Sequence, residues 1–330
     1  LHLSIRRQRQ MCIRDSHTRV AKIHSGHPAA VETERGPTVT ADHVVVATNT
    51  PIHTRLAVHT KQCGYQTYVV GFEVPKNVFP DVLWWDGPWE GDPSYHYVRL
   101  APSAAGDGTV LIAGGEDHKT GQGPDGDGPF RRIEAWTRSR FPAVGNVSHR
   151  WSGEVMETAD GLAFIGPSPI LSGGFRNEYL ITGDSGNGIT HAAIAAILLT
   201  DLIFDRPNPW ADLYDPARKV GTGSIKEFLS ENLNTLLQYR DWFKKGDFAS
   251  EGLIPRGSGG ILVEGVHHTA VYKNEHGICT RLNARCTHLG GLVRWNAVEK
   301  TWDCPCHASR FAVSGEVIHG PANAPLRPSN

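Results

Sequence analysis

The sequence lacks a hydrophobic run long enough to cross a membrane. The nearest candidate, Ala192 to Phe204, carries Asp201 and is shorter than the roughly 20 residues that a spanning helix needs. It also lacks a block of like charge, because 33 basic and 34 acidic residues are mixed along 330 positions. We therefore expect no nucleic-acid partner, no membrane partner and a cytoplasmic location.

Cysteine is scarce and unevenly placed. Only six cysteines occur, and four of them lie between Cys279 and Cys306, close to histidines. Such clustering favours metal binding over a disulfide framework.

The first sixteen residues lack both apolar periodicity and a small-residue cleavage site. They are rich in arginine and resemble translated sequencing-adapter sequence, with a basic targeting arm as the alternative. We predict that residues 1–16 are a non-native or disordered segment, and we exclude them, with Cys12, from reasoning about the fold.

One spacing carries the strongest chemical signal. Cys286-x-His288 is followed, after fifteen residues, by Cys304-x-x-His307. Two loops that each hold one Cys and one His supply the ligand set of a Rieske [2Fe–2S] centre, in which thiolates bind one iron and neutral imidazoles bind the other. Zinc also binds two Cys and two His, but its sites usually pair Cys with Cys and His with His. We predict that these four residues bind a [2Fe–2S] cluster.

Two upstream segments have the form of ligand-binding turns. Residues 179–204 predict a strand, a glycine-rich turn and a helix, whose first N–H groups would face an anionic or polar ligand. An ordinary helix-initiating turn is the alternative. The run Val44-Val45-Val46 predicts a buried strand that ends at Ala47 and Thr48.

Other patterns give the remaining organisation. Strands are predicted within residues 20–36 and 65–117, with Trp84, Trp85 and Trp89 in a loop. Apolar residues at helical spacing predict a connecting helix over 224–245 that packs on one or both domains. A Pro/Gly linker at 251–260 precedes short strands typical of a small all-β domain.

These segments resemble one family in the same order. CTHLGG…CPCHASRF is similar to the Rieske domain at the C-terminus of FAD-dependent oxidoreductases of the D-amino-acid-oxidase-like family. ADHVVVATNT resembles that family's strand ending near the FAD, and WSGEVMETADGLAFIGPSP resembles its W-x-G…D-G stretch. YLITGDSGNGITHA resembles its flavin-contacting turn and helix. The resemblance covers almost everything after residue 17.

The resemblance implies that the N-terminus of the helix predicted within residues 179–204 contacts the flavin. Negative charge builds up on this part of the reduced flavin, and the positive end of the helix dipole stabilises it. The residues carried over are Ala47, Thr48, Gly183, Asp184, Gly186, Gly188, Ile189 and Thr190. A strand that can face substrate in the family corresponds to Tyr95, His96, Tyr97 and Arg99. Alternation puts Tyr95, Tyr97 and Arg99 on one face, and we predict substrate contacts from Tyr97 and Arg99, where Arg99 could hold a carboxylate. A surface arginine beside core aromatics is the alternative.

The resemblance also implies the fold class. We expect an α/β, Rossmann-like FAD domain with an antiparallel substrate sheet, followed by the all-β Rieske domain. The family's G-x-G-x-x-G motif is missing near the N-terminus, so we predict a truncated fragment with an incomplete FAD domain. The predicted boundaries are 17–215 for the partial FAD domain, 216–250 for the connecting helix and 251–330 for the Rieske domain.

Two departures bear on the cluster. Rieske proteins of respiratory cytochrome complexes pair the cysteine equivalent to Cys306 with a cysteine where this chain has Gly291, so Cys306 is expected to be a free thiol. Ser309 matches a serine that hydrogen-bonds a cluster sulfur, and Phe311 replaces a tyrosine. Fewer hydrogen bonds to sulfur predict a potential in the lower part of the Rieske range.

The leading hypothesis is an enzyme that oxidises an amine or amino-acid-like substrate through FAD and passes single electrons to the [2Fe–2S] cluster, then to an unknown acceptor. The alternative is a Rieske electron carrier without catalysis of its own. A Rieske oxygenase is disfavoured because only 23 residues (330 − 307) follow His307. A zinc-stabilised binding module would differ in being colourless.

Overall fold

The computed structural model describes residues 17–52, 58–87, 95–103, 106, 108–123, 126–169, 177–219 and 224–329. Residues 1–16, predicted to be non-native or disordered, lie outside the described residues, and so does Trp89. The described chain begins with a three-stranded antiparallel sheet of β1 (Val20–His24), β2 (Ala29–Thr33) and β3 (Val39–Ala41). The hairpin predicted for residues 20–36 is therefore present.

A five-stranded antiparallel sheet forms the largest layer. Its strands are β5 (Gln62–Val74), β6 (Trp84–Asp86), β7 (His96–Pro102), β8 (Thr109–Lys119) and β9 (Val147–Thr158), in the order β6-β7-β8-β5-β9. Helix α1 (Gly128–Arg140), which the sequence analysis missed, packs on it through Ile133, against Phe72 and Leu111. Trp84 and Trp85 belong to β6, so the prediction of a loop there was wrong.

A smaller sheet carries the first predicted flavin segments. It consists of β4 (Val44–Val46), β10 (Phe164–Pro167) and β11 (Glu178–Thr182), in the order β10-β11-β4, with β11 and β4 parallel. Helix α2 (Gly188–Ile203) follows the turn after β11 and covers this sheet through Leu198. Strand β4 is less buried than expected, because alternation places Val46 in the core and leaves Val45 43% exposed.

The predicted connecting helix has a different length and orientation from those expected. After the short α3 (Ala211–Tyr214), helix α4 spans Ile225–Gln238 and continues as a 3-10 turn, Tyr239–Phe243. The apolar side chains of Leu229, Leu233 and Leu236 are 58–65% exposed, so the predicted packing of the apolar stripe was wrong. The helix contacts both neighbours through polar side chains instead: Asn232 donates to the Thr60 carbonyl, and Thr235 donates to the Cys306 carbonyl.

The C-terminal part is built from two small antiparallel sheets. The first contains β12 (Ser258–Glu264), β13 (His267–Lys273) and β14 (Cys279–Asn283), and the second contains β15 (Arg294–Asn296), β16 (Thr301–Asp303), β17 (Arg310–Ala312) and β18 (Val317–His319). Fully buried Trp302 and Phe311 lie in their common core with Leu282. Strands β16 and β17, which flank the second Cys/His loop, were not predicted.

None of the helices in the described part of the chain is both long and apolar enough to cross a membrane.

Candidate cofactor sites

The two Cys/His loops have the same backbone build. In the first, the Gly290 N–H donates to the Cys286 carbonyl (3.1 Å), and the Cys286 N–H donates to the Gly291 carbonyl (2.8 Å). In the second, the Ala308 N–H donates to the Cys304 carbonyl (3.0 Å), and the Cys304 N–H donates to the Ser309 carbonyl (2.8 Å). Gly290 and Ala308 both have positive φ, at 78° and 65°, so each loop turns back sharply after its histidine.

The loops bring the four predicted ligands together in two like pairs. Cys286 and Cys304 are buried and hydrogen-bonded to each other, and this bond, followed by burial, raises the pKa of the Cys286 thiol. The rings of His288 and His307 lie 5.0 Å apart between centroids and nearly perpendicular. A Rieske centre needs two thiolates for one iron and two imidazoles for the other, so this donor set fits a [2Fe–2S] cluster.

The environment of His307 suits coordination. Burial and, to a smaller extent, the nearby His59 together lower the pKa of His307 to about 4. The imidazole is therefore neutral at neutral pH, which is the form that binds iron. Within the described residues, no three His, Cys, Asp or Glu side chains form a group that could hold a single metal ion.

Gly291 and Cys306 lie next to each other in the structure. A side-chain carbon at Gly291 would lie 2.5 Å from the Cys306 sulfur, so the glycine gives the thiol its space. Cys306 is buried and free of any disulfide, as expected from the resemblance.

Ser309 and Phe311 stand beside the cluster ligands. The hydrogen bond of Cys304 and burial raise the pKa of the Cys286 thiol, and the Ser309 hydroxyl opposes them by a smaller amount. The Ser309 hydroxyl oxygen also accepts a hydrogen bond from the Ala322 N–H (3.0 Å). Phe311 is fully buried in the same core as Cys286. The serine is thus placed to hydrogen-bond sulfur, whereas the phenylalanine has no hydroxyl to do so.

The cluster histidines face the N-terminal part of the molecule. His59, which precedes β5 and is only 4% exposed, lies 5.0 Å from the His288 ring and 6.4 Å from the His307 ring, between centroids. A side-chain carbon at Gly64 of β5 would lie 2.4 Å from that of Ala308. No sequence pattern indicated His59, because only the tertiary fold brings it to residues so distant in the chain.

A second set of contacts fixes the same interface near the end of β4. The Asn49 side chain lies within hydrogen-bonding distance of His319 (3.2 Å), and His319 forms an ion pair with the buried Glu154 of β9 (3.2 Å). We call β12 to β18 and the loops between them the Rieske part. The Rieske part therefore contacts the segment that directly follows Ala47 and Thr48.

The predicted flavin segments converge in the structure. Because β4 and β11 are parallel, their carboxyl ends meet, and the Thr182 hydroxyl donates to the Asn49 carbonyl (2.5 Å). Ala47 and Thr48 lie exposed at this end of β4. The turn after β11 has Gly183 and Gly186 at positive φ, 72° and 77°, where glycine is favoured.

The turn leads into the N-terminus of α2. Gly188, Ile189 and Thr190 form its first turn, and the first helical hydrogen bond here runs from the His191 N–H to the Asn187 carbonyl. The three preceding N–H groups thus point along the helix axis, and Ile189 is 92% exposed beside them. These N–H donors and the exposed Ile189 side chain together fit the edge of a flavin ring. The Asp184 carboxylate accepts a hydrogen bond from the Gly186 N–H and so stabilises the turn.

The predicted substrate residues lie elsewhere on the large sheet. Tyr97 is half-buried, and a side-chain carbon at Gly114 would lie 2.3 Å from its ring, so Tyr97 packs across β8. Arg99 is exposed. The Tyr97 ring lies 6.4 Å from the Tyr95 ring, between centroids. The role of Tyr97 and Arg99 in binding substrate stays a prediction.

Comparison with known proteins gives the class of this flavoprotein. The family described as FAD dependent oxidoreductase matches residues 13–202, and the Rieske [2Fe-2S] domain family matches residues 250–329. The chain therefore belongs to the FAD dependent oxidoreductase family and carries a Rieske domain after the oxidoreductase segment. These two families imply FAD and a [2Fe–2S] cluster as cofactors.

Individual relatives cover only parts of this arrangement. The chain is 32% identical over 219 residues to YhfW of Bacillus subtilis (strain 168), named as a Rieske 2Fe-2S iron-sulfur protein, covering 66% of this chain and 42% of that protein. It is 61% identical over 41 residues to the cytochrome b6-f complex iron-sulfur subunit of Synechococcus sp. (strain JA-3-3Ab), covering 12% of this chain and 24% of that protein. The chain thus spans less than half the length of either relative.

Among solved structures, glycine oxidase from Geobacillus kaustophilus is similar over 64% of this chain and 54% of its own, with 18% identity and a TM-score of 0.47.

Proposed function

We propose that the protein oxidises an amine or amino-acid-like substrate through FAD and passes the electrons singly to a Rieske [2Fe–2S] cluster. When bound, FAD would supply a two-electron acceptor for a hydride, two electrons and one proton, from the carbon beside an amine nitrogen, and could release the electrons one at a time to a one-electron carrier such as the cluster. The acceptor beyond the cluster is a further partner of unknown identity.

The observation that carries this proposal is the direction in which the cluster ligands face. His288 and His307 contact His59 of the flavoprotein part. The Asn49–His319 contact joins the Rieske part to the strand end where FAD contacts are predicted. Two cofactors that exchange electrons must lie close together, and these contacts support such an arrangement.

The chain's own residues would then have separate tasks. The N-terminus of α2, with Gly188, Ile189 and Thr190, would stabilise negative charge on the flavin edge. The buried environment of His307 keeps its imidazole neutral for iron. His59 and the Gly64–Ala308 contact would exclude water between the two cofactors, because these groups are closely packed.

The proposal is tested with protein reconstituted with both cofactors under anaerobic conditions. Addition of single amines and amino acids should bleach the flavin absorbance and then produce the electron paramagnetic resonance signal of a reduced Rieske cluster. Flavin bleaching without a cluster signal would contradict the proposed electron path.

A pure electron carrier is the second candidate, favoured by the 61% identity of the cluster segment to the cytochrome b6-f iron-sulfur subunit. It predicts a red-brown protein whose cluster is reduced by dithionite but which takes up no flavin. Stoichiometric flavin after reconstitution would exclude this candidate as the whole function.

A further inference from the structure

A cavity of about 430 Å³ lies between the start of β5, the end of β9 and helix α4. Two tyrosines, Tyr65 and Tyr95, contribute to its wall together with the carboxylates of Asp117 and Glu157. None of these residues belongs to the cluster site. The cavity therefore offers aromatic rings and negative charge at the edge of the large sheet.

The cavity adjoins the turn predicted to contact the flavin. The Ser185 N–H of that turn donates to the Met156 carbonyl (3.1 Å), directly before Glu157 in β9. The side-chain oxygen of Gln62, which lines the cavity, lies 3.1 Å from the hydroxyl oxygen of Thr182, directly before Gly183. A molecule in the cavity would thus lie beside the site proposed for the flavin edge.

Two of its carboxylates have no ion-pair partner among the described residues. Asp117 accepts a hydrogen bond from the Tyr95 hydroxyl (2.6 Å), but its other carboxylate oxygen is buried without a partner. Burial raises the pKa of Glu157, and the nearby negative charges of Asp117 and Asp184 raise it further, although Ser185 opposes the shift. A bound cation would relieve this repulsion.

The third carboxylate is already neutralised. Glu231 of α4 forms an ion pair with Lys119 (2.5 Å) and accepts hydrogen bonds from Cys63 and Tyr65. Lys61 also lines the cavity, but its ammonium group donates to two backbone carbonyls, those of Pro216 and Arg218. Lys61 keeps its charge but has only one ammonium N–H left for a ligand, and the carboxylates of Asp117 and Glu157 outnumber it at the cavity wall.

One donor remains inside the cavity. Gln62 is only 5% exposed, and its side-chain N–H₂ group is buried without a hydrogen-bond partner. An unpaired buried donor is costly, so a ligand acceptor atom at this position would be favourable.

We propose that this cavity binds an organic ammonium ion held by Asp117 and Glu157, so that the substrate is an amine without a carboxylate beside its nitrogen. The inference rests on the function proposed above and narrows its substrate class. Tyr65 and Tyr95 add aromatic surface, which attracts cations, and Gln62 selects an oxygen on the ligand.

Isothermal titration calorimetry of the full chain tests the inference without any redox step. The probes are n-butylamine, butyrate and L-2-aminobutyrate, which have similar sizes but are a cation, an anion and a zwitterion. We expect butylamine to bind, the zwitterion to bind at least about tenfold more weakly because its carboxylate meets Asp117 and Glu157, and butyrate not to bind. Binding of butyrate or of the zwitterion as tightly as the amine would overturn the inference.

Two variants locate the site. Asp117→Asn keeps an acceptor for Tyr95 and Glu157→Gln keeps the side-chain shape, yet each should weaken butylamine binding about tenfold or more. Asp81→Asn, at an exposed position outside the cavity, removes the same charge and should leave the affinity unchanged. Unchanged affinity in both cavity variants would also overturn the inference.

The outcome is separable from that of the proposed function. Because the titration reports equilibrium binding, it does not depend on electron transfer to the cluster. Flavin bleaching by amino acids together with equal binding of all three probes would refute the amine cavity and leave the oxidoreductase function standing.

Discussion

At the scale of the residue, Phe311 is the position most directly linked to the cluster's redox potential. It is fully buried in the core that contains Cys286 and Cys304, and it replaces a tyrosine hydroxyl in the resemblance to respiratory Rieske proteins. We expect the wild-type potential in the lower part of the range of about −150 to +300 mV known for these centres. A titration that gives a value near the top of this range would refute that expectation.

Phe311→Tyr tests whether the missing hydroxyl at this position lowers the redox potential of the cluster. A hydrogen bond worth about 1 kcal/mol to the reduced cluster corresponds to roughly +40 mV for one electron, so the potential should rise by that amount. Redox titration followed by electron paramagnetic resonance measures it. Phe311→Leu, which adds no hydroxyl, serves as the control and should not raise the potential. An unchanged potential in the tyrosine variant would show that hydrogen bonding at this site does not set it.

The four predicted cluster ligands come together in the structure. Their spacing names the residues directly, because the chemistry requires particular side chains on two short loops. The resemblance placed Ser309 beside the cluster and Gly291 opposite Cys306, and in the structure Ser309 lies beside the Cys286 thiol and Gly291 beside Cys306. The hydrogen bond from Ser309 to a cluster sulfur stays a prediction. His59 could not be found in this way, because its role depends on packing and not on any local pattern.

At the scale of the element, a partly buried ion pair joins the loop after β9 to the segment after α3. Arg218 forms an ion pair with Asp160 (2.8 Å), donates to the Leu162 and Ala163 carbonyls, and lies over the Phe164 ring at 4.0 Å. Burial alone would raise the pKa of Asp160, but the hydrogen bond and charge of Arg218 lower it overall.

Asp160→Asn should therefore lower the free energy of unfolding by about 1–3 kcal/mol at neutral pH. A lowered pKa in the folded state means that the stabilisation is present above the unfolded value near 3.8 and is lost as the pH falls through the folded value. Urea denaturation across this pH range measures the difference between wild type and variant. The difference in the free energy of unfolding between wild type and variant should become smaller on acidification. A difference that does not change with pH would contradict the ion pair as its source.

Asp201→Asn is the matched control for this prediction. Asp201 pairs with Arg206, whose side chain is 54% exposed, and exposed pairs contribute only about 0–1 kcal/mol. The control variant should consequently unfold at nearly the same urea concentration as the wild type.

Helix α4 shows why an amphipathic pattern does not fix a helix's orientation. Helical spacing of Leu229, Leu233 and Leu236 predicted that this stripe packs inward, yet the structure leaves it exposed. Side-chain hydrogen bonds and ion pairs with both neighbouring parts hold the opposite face. The pattern predicted that a helix forms, but tertiary contacts decided which face is buried.

At the scale of the whole molecule, the proposed electron transfer would depend on how the Rieske part packs on the flavoprotein part. Gly64 of β5 allows a close approach of the two parts, since a side-chain carbon there would lie 2.4 Å from that of Ala308. Gly64→Ala should push the second cluster loop away and cost about 1–3 kcal/mol of stability through overpacking. The cluster should still assemble, but its reduction by the flavin should slow in stopped-flow measurements.

Gly153→Ala, on the neighbouring strand β9, is the matched control. A side-chain carbon there meets only the Thr67 methyl at 3.9 Å, an ordinary contact, so this variant should transfer electrons at the wild-type rate. Equal rates in the Gly64 and Gly153 variants would mean that this contact is not needed for electron transfer.

The sequence by itself determined the cofactor chemistry and most of the local structure. The Cys/His spacing, the glycine turn before α2 and several of the strands depend on residue type and near neighbours, so they can be recognised along the chain. Only the tertiary structure decided the contact of His59 with the cluster ligands, the meeting of the β4 and β11 ends, and the acidic cavity. These features bring together groups that are far apart in sequence, and no local pattern encodes such long-range packing.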